Sequence, residues 1–217
     1  MKHTVLAGLG VVVIVACVSG FAVWNLMSSI PDTLPEGEDP QLILPVYEYS
    51  NLYKIQGFGW VTSDYFHPGF DYVINDTTVI VSPCDAYVNY LNAWHNEISS
   101  RWQVNMELRL NKYWRILLAF ECNADSEAGA EQQLAAITVS VGQIVSTNQT
   151  LGQLLCFSLG DSHLHFTVRY YPDPGNESCY EDKCPYQYFT QESKIKFEEL
   201  YTVIGQPSDD WCKLTPP

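Results

Sequence analysis

The chain has 217 residues, 47% of them hydrophobic and 17% charged, which is enough to enclose one sizeable core but hardly two. Its net charge of −14 comes with no basic cluster anywhere, which excludes a nucleic-acid partner and disfavours anionic membrane surfaces, because nothing is available to neutralise phosphate.

From Thr4 to Ile30 no side chain is charged, and the run exceeds the roughly 20 apolar residues that span a bilayer. It reads as a transmembrane anchor over residues 1–30. Lys2 precedes it and Asp32, Glu36, Glu38 and Asp39 follow it, so the N-terminus is expected in the cytoplasm and the body outside, extracellular or periplasmic. A cleaved signal, or a lipoprotein signal ending in "IVAC" at Cys17, is the alternative. Residues 31–45, rich in proline and acid, are expected to form an extended linker without a core.

Over residues 46–171 short apolar runs alternate with turn residues: "TTVIVSP", "AYVNYLNAW", "WQVNMELRL", "YWRILLAFEC", "AAITVSVGQIV", "LLCFSLG" and "HLHFTVRYY". Their valine, isoleucine, threonine and aromatic content predicts a mainly antiparallel β domain. "NADSEAGAEQQLA" at 123–135 interrupts the pattern as a loop with one or two helical turns. Residues 172–217 form a cysteine-containing extension in which Ile195, Leu200, Tyr201 and Ile204 recur at near-helical spacing, with Gly205 and Pro207 as stop signals.

Seven cysteines are present. Setting aside Cys17, the six others (Cys84, Cys122, Cys156, Cys179, Cys184 and Cys212) allow up to three disulfides in an exported domain, with a connectivity that sequence does not specify. No CxxC pair supports a zinc-thiolate cluster. Asn75, Asn148 and Asn176 head glycan acceptor sequons.

Three of the five histidines lie in two motifs, "HPGFD" at 67–71 and "HLH" at 163–165. Catalytic zinc typically takes three nitrogen or oxygen ligands and leaves one position open, and His67, Asp71 and His165 supply such a set. If "HLHFTV" is a strand, His163 and His165 face the same side. One can then bind metal while the other moves protons or meets substrate. Such a centre makes water nucleophilic near neutral pH and polarises the attacked carbonyl. Either pair alone is a weak signal; together, with Gly69 permitting tight backbone between the ligands, they are specific.

These motifs resemble the lysostaphin-like (LytM-type) zinc endopeptidases, whose signature is HxxxD followed about a hundred residues later by HLHF. "VIVSPCDAYVNYL" and "VSVGQIVSTNQTLGQL" stand where that family has its characteristic strand and turn, and "GFGW" at 57–60 resembles the segment entering the metal strand. The likeness covers roughly residues 55–170. It implies an antiparallel β sandwich of barrel-sandwich hybrid type (a duplicated hybrid motif), Zn2+ held by His67, Asp71 and His165, and His163 as a catalytic residue acting on peptide or peptidoglycan-like cross-links. The family's second catalytic histidine closes a central strand, which here is "RILLAFECN" and has no histidine. Matching Ala119 to the family's alanine is the more natural register and puts Phe120 in that place; the other register puts Glu121 there, a carboxylate able to act as a base.

Other readings are weaker. Trp60, Trp94, Trp102, Trp114 and Tyr170 could line a groove, although aromatics in β domains usually pack. His95 reads as an ordinary surface residue. A serine triad through Ser162 or Asp161 lacks the G-x-S-x-G elbow, and a carrier domain lacks a lysine in "VSVGQIVSTNQ". The sequence therefore points to a membrane-anchored, exported zinc metalloendopeptidase. The alternative is a zinc-retaining binding or regulatory module on the same fold.

Overall fold

The computed structural model describes residues 37–205 and 210–216. The expected anchor over 1–30 lies outside them; among the described residues no helix is long and apolar enough to cross a membrane.

The chain forms β1 (Leu52–Gln56), β2 (Phe58–Trp60), β3 (Phe66–His67), β4 (Phe70–Ile74), β5 (Thr78–Val81), β6 (Ala86–Asn96), β7 (Arg101–Arg109) and β8 (Trp114–Ala124). After helix α1 (Glu127–Ala135) come β9 (Ile144–Val145), β10 (Thr150–Leu154), β11 (His163–Tyr170), β12 (Glu181–Lys183), helix α2 (Gln191–Ile204) and β13 (Cys212–Lys213). The largest sheet runs β1-β4-β11-β8-β7-β6-β9, with β12 on the far end of β11. All its pairings are antiparallel. Two small sheets, β10-β5 and β13-β2-β3, complete a mainly β architecture with few helices.

Alternation explains the central strands. On β11 Leu164, Phe166 and Val168 are fully buried, as are Phe70, Tyr72 and Ile74 on β4, and each such side chain contributes about 1.5–3 kcal/mol by leaving water. Helix α2 caps this face: Phe197 stacks on Phe70 with ring centroids 4.8 Å apart. The helix begins at Thr190, whose Oγ1 accepts from the Ser193 N–H, and ends at Gly205. The opposite face of β4 and β11, left open by these helices, carries the histidine motifs.

Several expectations are corrected. The core stripe of α2 is Ser193, Phe197 and Tyr201 rather than one containing Ile195, which is exposed. The linker predicted to be coreless over 31–45 joins the core at Leu42 and Leu44. Its backbone is tied down there, because the Leu42 N–H donates to the Tyr188 carbonyl. "LLCFSLG" is strand only at Leu154; beyond it the chain turns, with Ser162 N–H donating to the Ser158 carbonyl, and Phe157 and Leu159 point outward. Among the described residues one disulfide, Cys184–Cys212, is formed, and Cys84, Cys122, Cys156 and Cys179 are free.

Candidate metal centre

His67 ends β3 and Asp71 is the second residue of β4, so the short "HPGFD" turn delivers both side chains to one place. Strand β11 lies beside β4 with His165 directly opposite Asp71, and its other neighbour β8 sets Glu121 opposite His163. Residues two apart share a face, so Asp71, His163, His165 and Glu121 are brought to the same side of the sheet.

Three donor atoms converge. His67 Nε2 is 3.1 Å from Asp71 Oδ1 and 3.2 Å from His165 Nδ1, and His165 Nδ1 is 2.7 Å from Asp71 Oδ1. Zinc with four ligands at 2.0–2.1 Å sets neighbouring ligands about 3.3 Å apart; two of the three separations approach that value and the third is shorter. The far side of each imidazole is engaged: His67 Nδ1–H donates to the Gly57 carbonyl at 2.7 Å, and His165 Nε2 is 2.9 Å from Thr167 Oγ1. A carbonyl only accepts, so His67 carries its proton on Nδ1 and turns the Nε2 lone pair inward. A carboxylate and inward-facing imidazole nitrogens need a cation among them, a proton or a metal. Two imidazoles and one carboxylate form a donor set that suits zinc.

The electrostatics agree. Burial pushes the Asp71 carboxyl up, but hydrogen bonds from His165 and, when it carries a second proton on Nε2, from His67, together with the charges of His165 and His163, outweigh it and leave Asp71 well below the usual carboxylate range. Burial lowers the His67 imidazole, but its hydrogen bond to Asp71, the Asp71 charge and the Gly57 carbonyl raise it overall.

His163 stands beside the trio. Its Nδ1–H donates to the Asp161 carbonyl at 2.7 Å, which leaves Nε2 facing Glu121 Oε2 at 3.4 Å and Asp71 Oδ1 at 3.8 Å. Glu121 and His163 line a cleft of about 290 Å³ together with Ser99, Arg101 and Trp102.

Of the two residues weighed at the end of the central strand, Glu121 and not Phe120 lies opposite His163. Phe120 is fully buried, opposite Leu164 in the core, and Glu121 is the β8 residue facing the histidines. The five proposed groove aromatics do not form one groove. Trp114 packs on Tyr170 and Tyr188, Trp60 packs on Phe66, and Trp102 lines the cleft. His95 lies at the β6–β7 hairpin, with Nδ1 3.1 Å from Glu97.

Sequence reasoning missed Gly57, Thr167 and Tyr65. Burial raises the Tyr65 phenol first, and the charges of Asp71 and Glu121 raise it further, which sets it within reach of the site's field. Alternation could have found Thr167, two residues beyond His165 on the same strand face. A backbone carbonyl such as that of Gly57 has no signature in sequence.

No family model and no curated protein matches the chain. Similarity to solved structures is broad but shallow. Csd3 of Helicobacter pylori is 19% identical with a TM-score of 0.47, over 76% of this chain and 39% of Csd3. The catalytic domain of lysostaphin, an antimicrobial peptidase of Staphylococcus simulans, is 17% identical with a TM-score of 0.40, over 62% of this chain and 90% of that domain. A zinc-containing peptidase from Vibrio cholerae is 17% identical with a TM-score of 0.43, over 66% of this chain and 39% of that one. The chain thus spans less than half the length of the Helicobacter and Vibrio proteins.

Proposed function

We propose that the chain is a zinc metalloendopeptidase on a duplicated-hybrid-motif fold, exported and held at the cell membrane by its N-terminal segment, hydrolysing peptide bonds in envelope cross-links of peptidoglycan type. The observation that carries this reading is the meeting of His67 Nε2, Asp71 Oδ1 and His165 Nδ1 within 3.2 Å of one another, beside a cleft that His163 and Glu121 line. The motif order and the resemblance it carries supply the substrate class; the apolar run from Thr4 to Ile30 supplies the location.

His67, Asp71 and His165 would hold the zinc. When bound, it supplies Lewis acidity, which polarises a peptide carbonyl and makes water nucleophilic near neutral pH. The other groups handle protons. With Nδ1 committed to the Asp161 carbonyl, neutral His163 offers its Nε2 lone pair to the cleft and takes a proton there. Glu121, 3.4 Å away, stabilises the resulting imidazolium by its charge and accepts a hydrogen bond from it. In this reading His163 is the catalytic histidine that the resemblance implies, and Glu121 takes the place of the second one.

The test is zinc content by elemental analysis, with hydrolysis of glycine-rich and D-amino-acid cross-link peptides recorded on the same samples, for the wild type and His163→Ala. One zinc per chain in both proteins is expected, with cleavage falling by on the order of a hundredfold or more in the variant. Stoichiometric zinc with no cleavage by the wild type would replace the enzyme by a zinc-retaining binding module, the reading favoured by the lack of a histidine on β8.

A further inference from the structure

Strand β11 places a third polar side chain on the site's face, Thr167, two residues beyond His165 and fully buried. Its Oγ1 is 2.9 Å from His165 Nε2. We propose that Thr167 is a positioning residue for the metal centre, its hydroxyl accepting a hydrogen bond from the Nε2–H that His165 must carry once Nδ1 is committed to a metal, and so fixing the plane of the ring. The inference rests on the reading of His67, Asp71 and His165 as zinc ligands.

The chemistry follows from what each group can do. A neutral imidazole has one N–H and one lone pair, and binding zinc through Nδ1 requires the proton on Nε2. That proton faces the fully buried Thr167, and a hydrogen bond left unmade there is costly. The hydroxyl supplies the acceptor. A hydroxyl can also turn to donate, so it remains a partner in the metal-free state, when the proton can sit on Nδ1 facing Asp71 at 2.7 Å. Threonine thus accommodates both states of the ring without moving its backbone, and its branched Cβ limits its rotamers.

Packing holds this pair in place. A Cβ added at Gly69, the middle residue of "HPGFD", would lie 2.6 Å from the Phe166 carbonyl oxygen, 2.9 Å from Thr167 Oγ1 and 3.0 Å from His165 Cε1. The turn that delivers His67 and Asp71 therefore closes directly over the Thr167–His165 contact. Glycine is required there for close approach and leaves no room for water to replace the hydroxyl.

The experiment uses the full-length chain as wild type, Thr167→Val and Thr167→Ser. Zinc affinity is measured by competition with a chromophoric chelator, and the His165 ring N–H is followed by proton–nitrogen NMR on zinc-loaded protein. A slowly exchanging Nε2–H signal is expected in the wild type and the Ser variant but not in Val. Zinc binding should weaken by about 10–100-fold in Val, as for other outer-shell losses, and by less than about threefold in Ser. Equal affinity in Val and wild type overturns the inference, as does an equal loss in Ser and Val, which would trace the effect to the methyl group. A loaded wild type with its ring proton on Nδ1 overturns it as well, and needs no variant to fold. A wild type that takes up no zinc overturns the metal reading and this inference with it.

Discussion

The two ends of β11 carry polar residues in opposite ways. At the far end Arg169 Nε donates to Asp182 Oδ1 at 2.9 Å, and its guanidinium lies 4.3 Å from the centroid of Tyr180. Next to it Arg115 donates to Glu107 at 3.3 Å and Glu177 at 3.1 Å, and its guanidinium lies 4.1 Å from the Tyr171 centroid. Charges there meet opposite charges, although the buried Arg115 Nε has no hydrogen-bond partner. At the His163 end, within the same sheet, inward-facing imidazole nitrogens surround a carboxylate. Burial is similar at the two ends, but only the histidine end is left needing a cation. A polar cluster whose charges pair with one another holds the fold, whereas one short of a cation offers a place for one.

The comparison breaks first, and most completely, if the histidine end turns out to be self-sufficient. His67→Ala combined with Asp71→Ala should reduce zinc from one per chain to none by elemental analysis, with the far-ultraviolet circular dichroism retained. Stoichiometric zinc in that double variant would refute the ligand assignment.

Glu121→Gln tests the cleft wall while leaving the three ligands alone. It keeps the shape and a hydrogen-bonding group but removes the charge beside His163 Nε2, so zinc content should be unchanged while the hydrolysis rate falls about tenfold or more. Unchanged turnover would remove Glu121 from the mechanism.

Stability against pH sharpens the contrast further. Asp71, depressed, contributes stability present above its ordinary value of 3.8 and lost as the pH falls through its folded value. His67, raised, contributes stability fully present below its ordinary value of 6.5 and lost as the pH rises through its folded value. Chelator-treated protein should therefore be most stable between these limits and show a lower Tm at pH 8 than at pH 6. Each unit by which the imidazole is raised is worth about 1.4 kcal/mol. Zinc should reverse the loss at pH 8 and release protons on binding. A flat profile of Tm without metal would show that the cluster holds no proton in zinc's place.

The smallest effect belongs to the far end. Asp182→Ala removes one partner of a pair whose side chains are each about a fifth exposed, so about 1 kcal/mol, or 2–4 °C in Tm, is expected, with zinc affinity unchanged. A change in zinc affinity would mean that the two ends are coupled along the strand.

Much of this was legible from residue types alone. The central strands were visible because valine and aromatic residues alternate on them, and the meeting of His67, Asp71 and His165 because two short motifs carry most of the histidine. The boundary of "LLCFSLG" was not, since an apolar run reads alike whether it pairs or turns. The face of α2 was missed because Phe197 was left out of the expected stripe, and Ile195 points outward despite its apolar side chain. The choice between Phe120 and Glu121 needed the β8–β11 register, a long-range pairing that no local pattern fixes.

The carbonyl of Gly57 that holds His67 is itself held from the other end of the chain. The Phe58 N–H donates to the Trp211 carbonyl at 2.9 Å, β13 runs parallel to β2, and Cys212 on β13 is bonded to Cys184. Gly59, with φ of +112°, has no space for a side chain beneath Lys213, so this closure presses backbone onto backbone. A metal held by His67 would therefore depend on oxidation. A chain kept in a reducing compartment has every ligand but an unfastened clasp behind His67, and should give up zinc faster than the same chain after its thiols have joined.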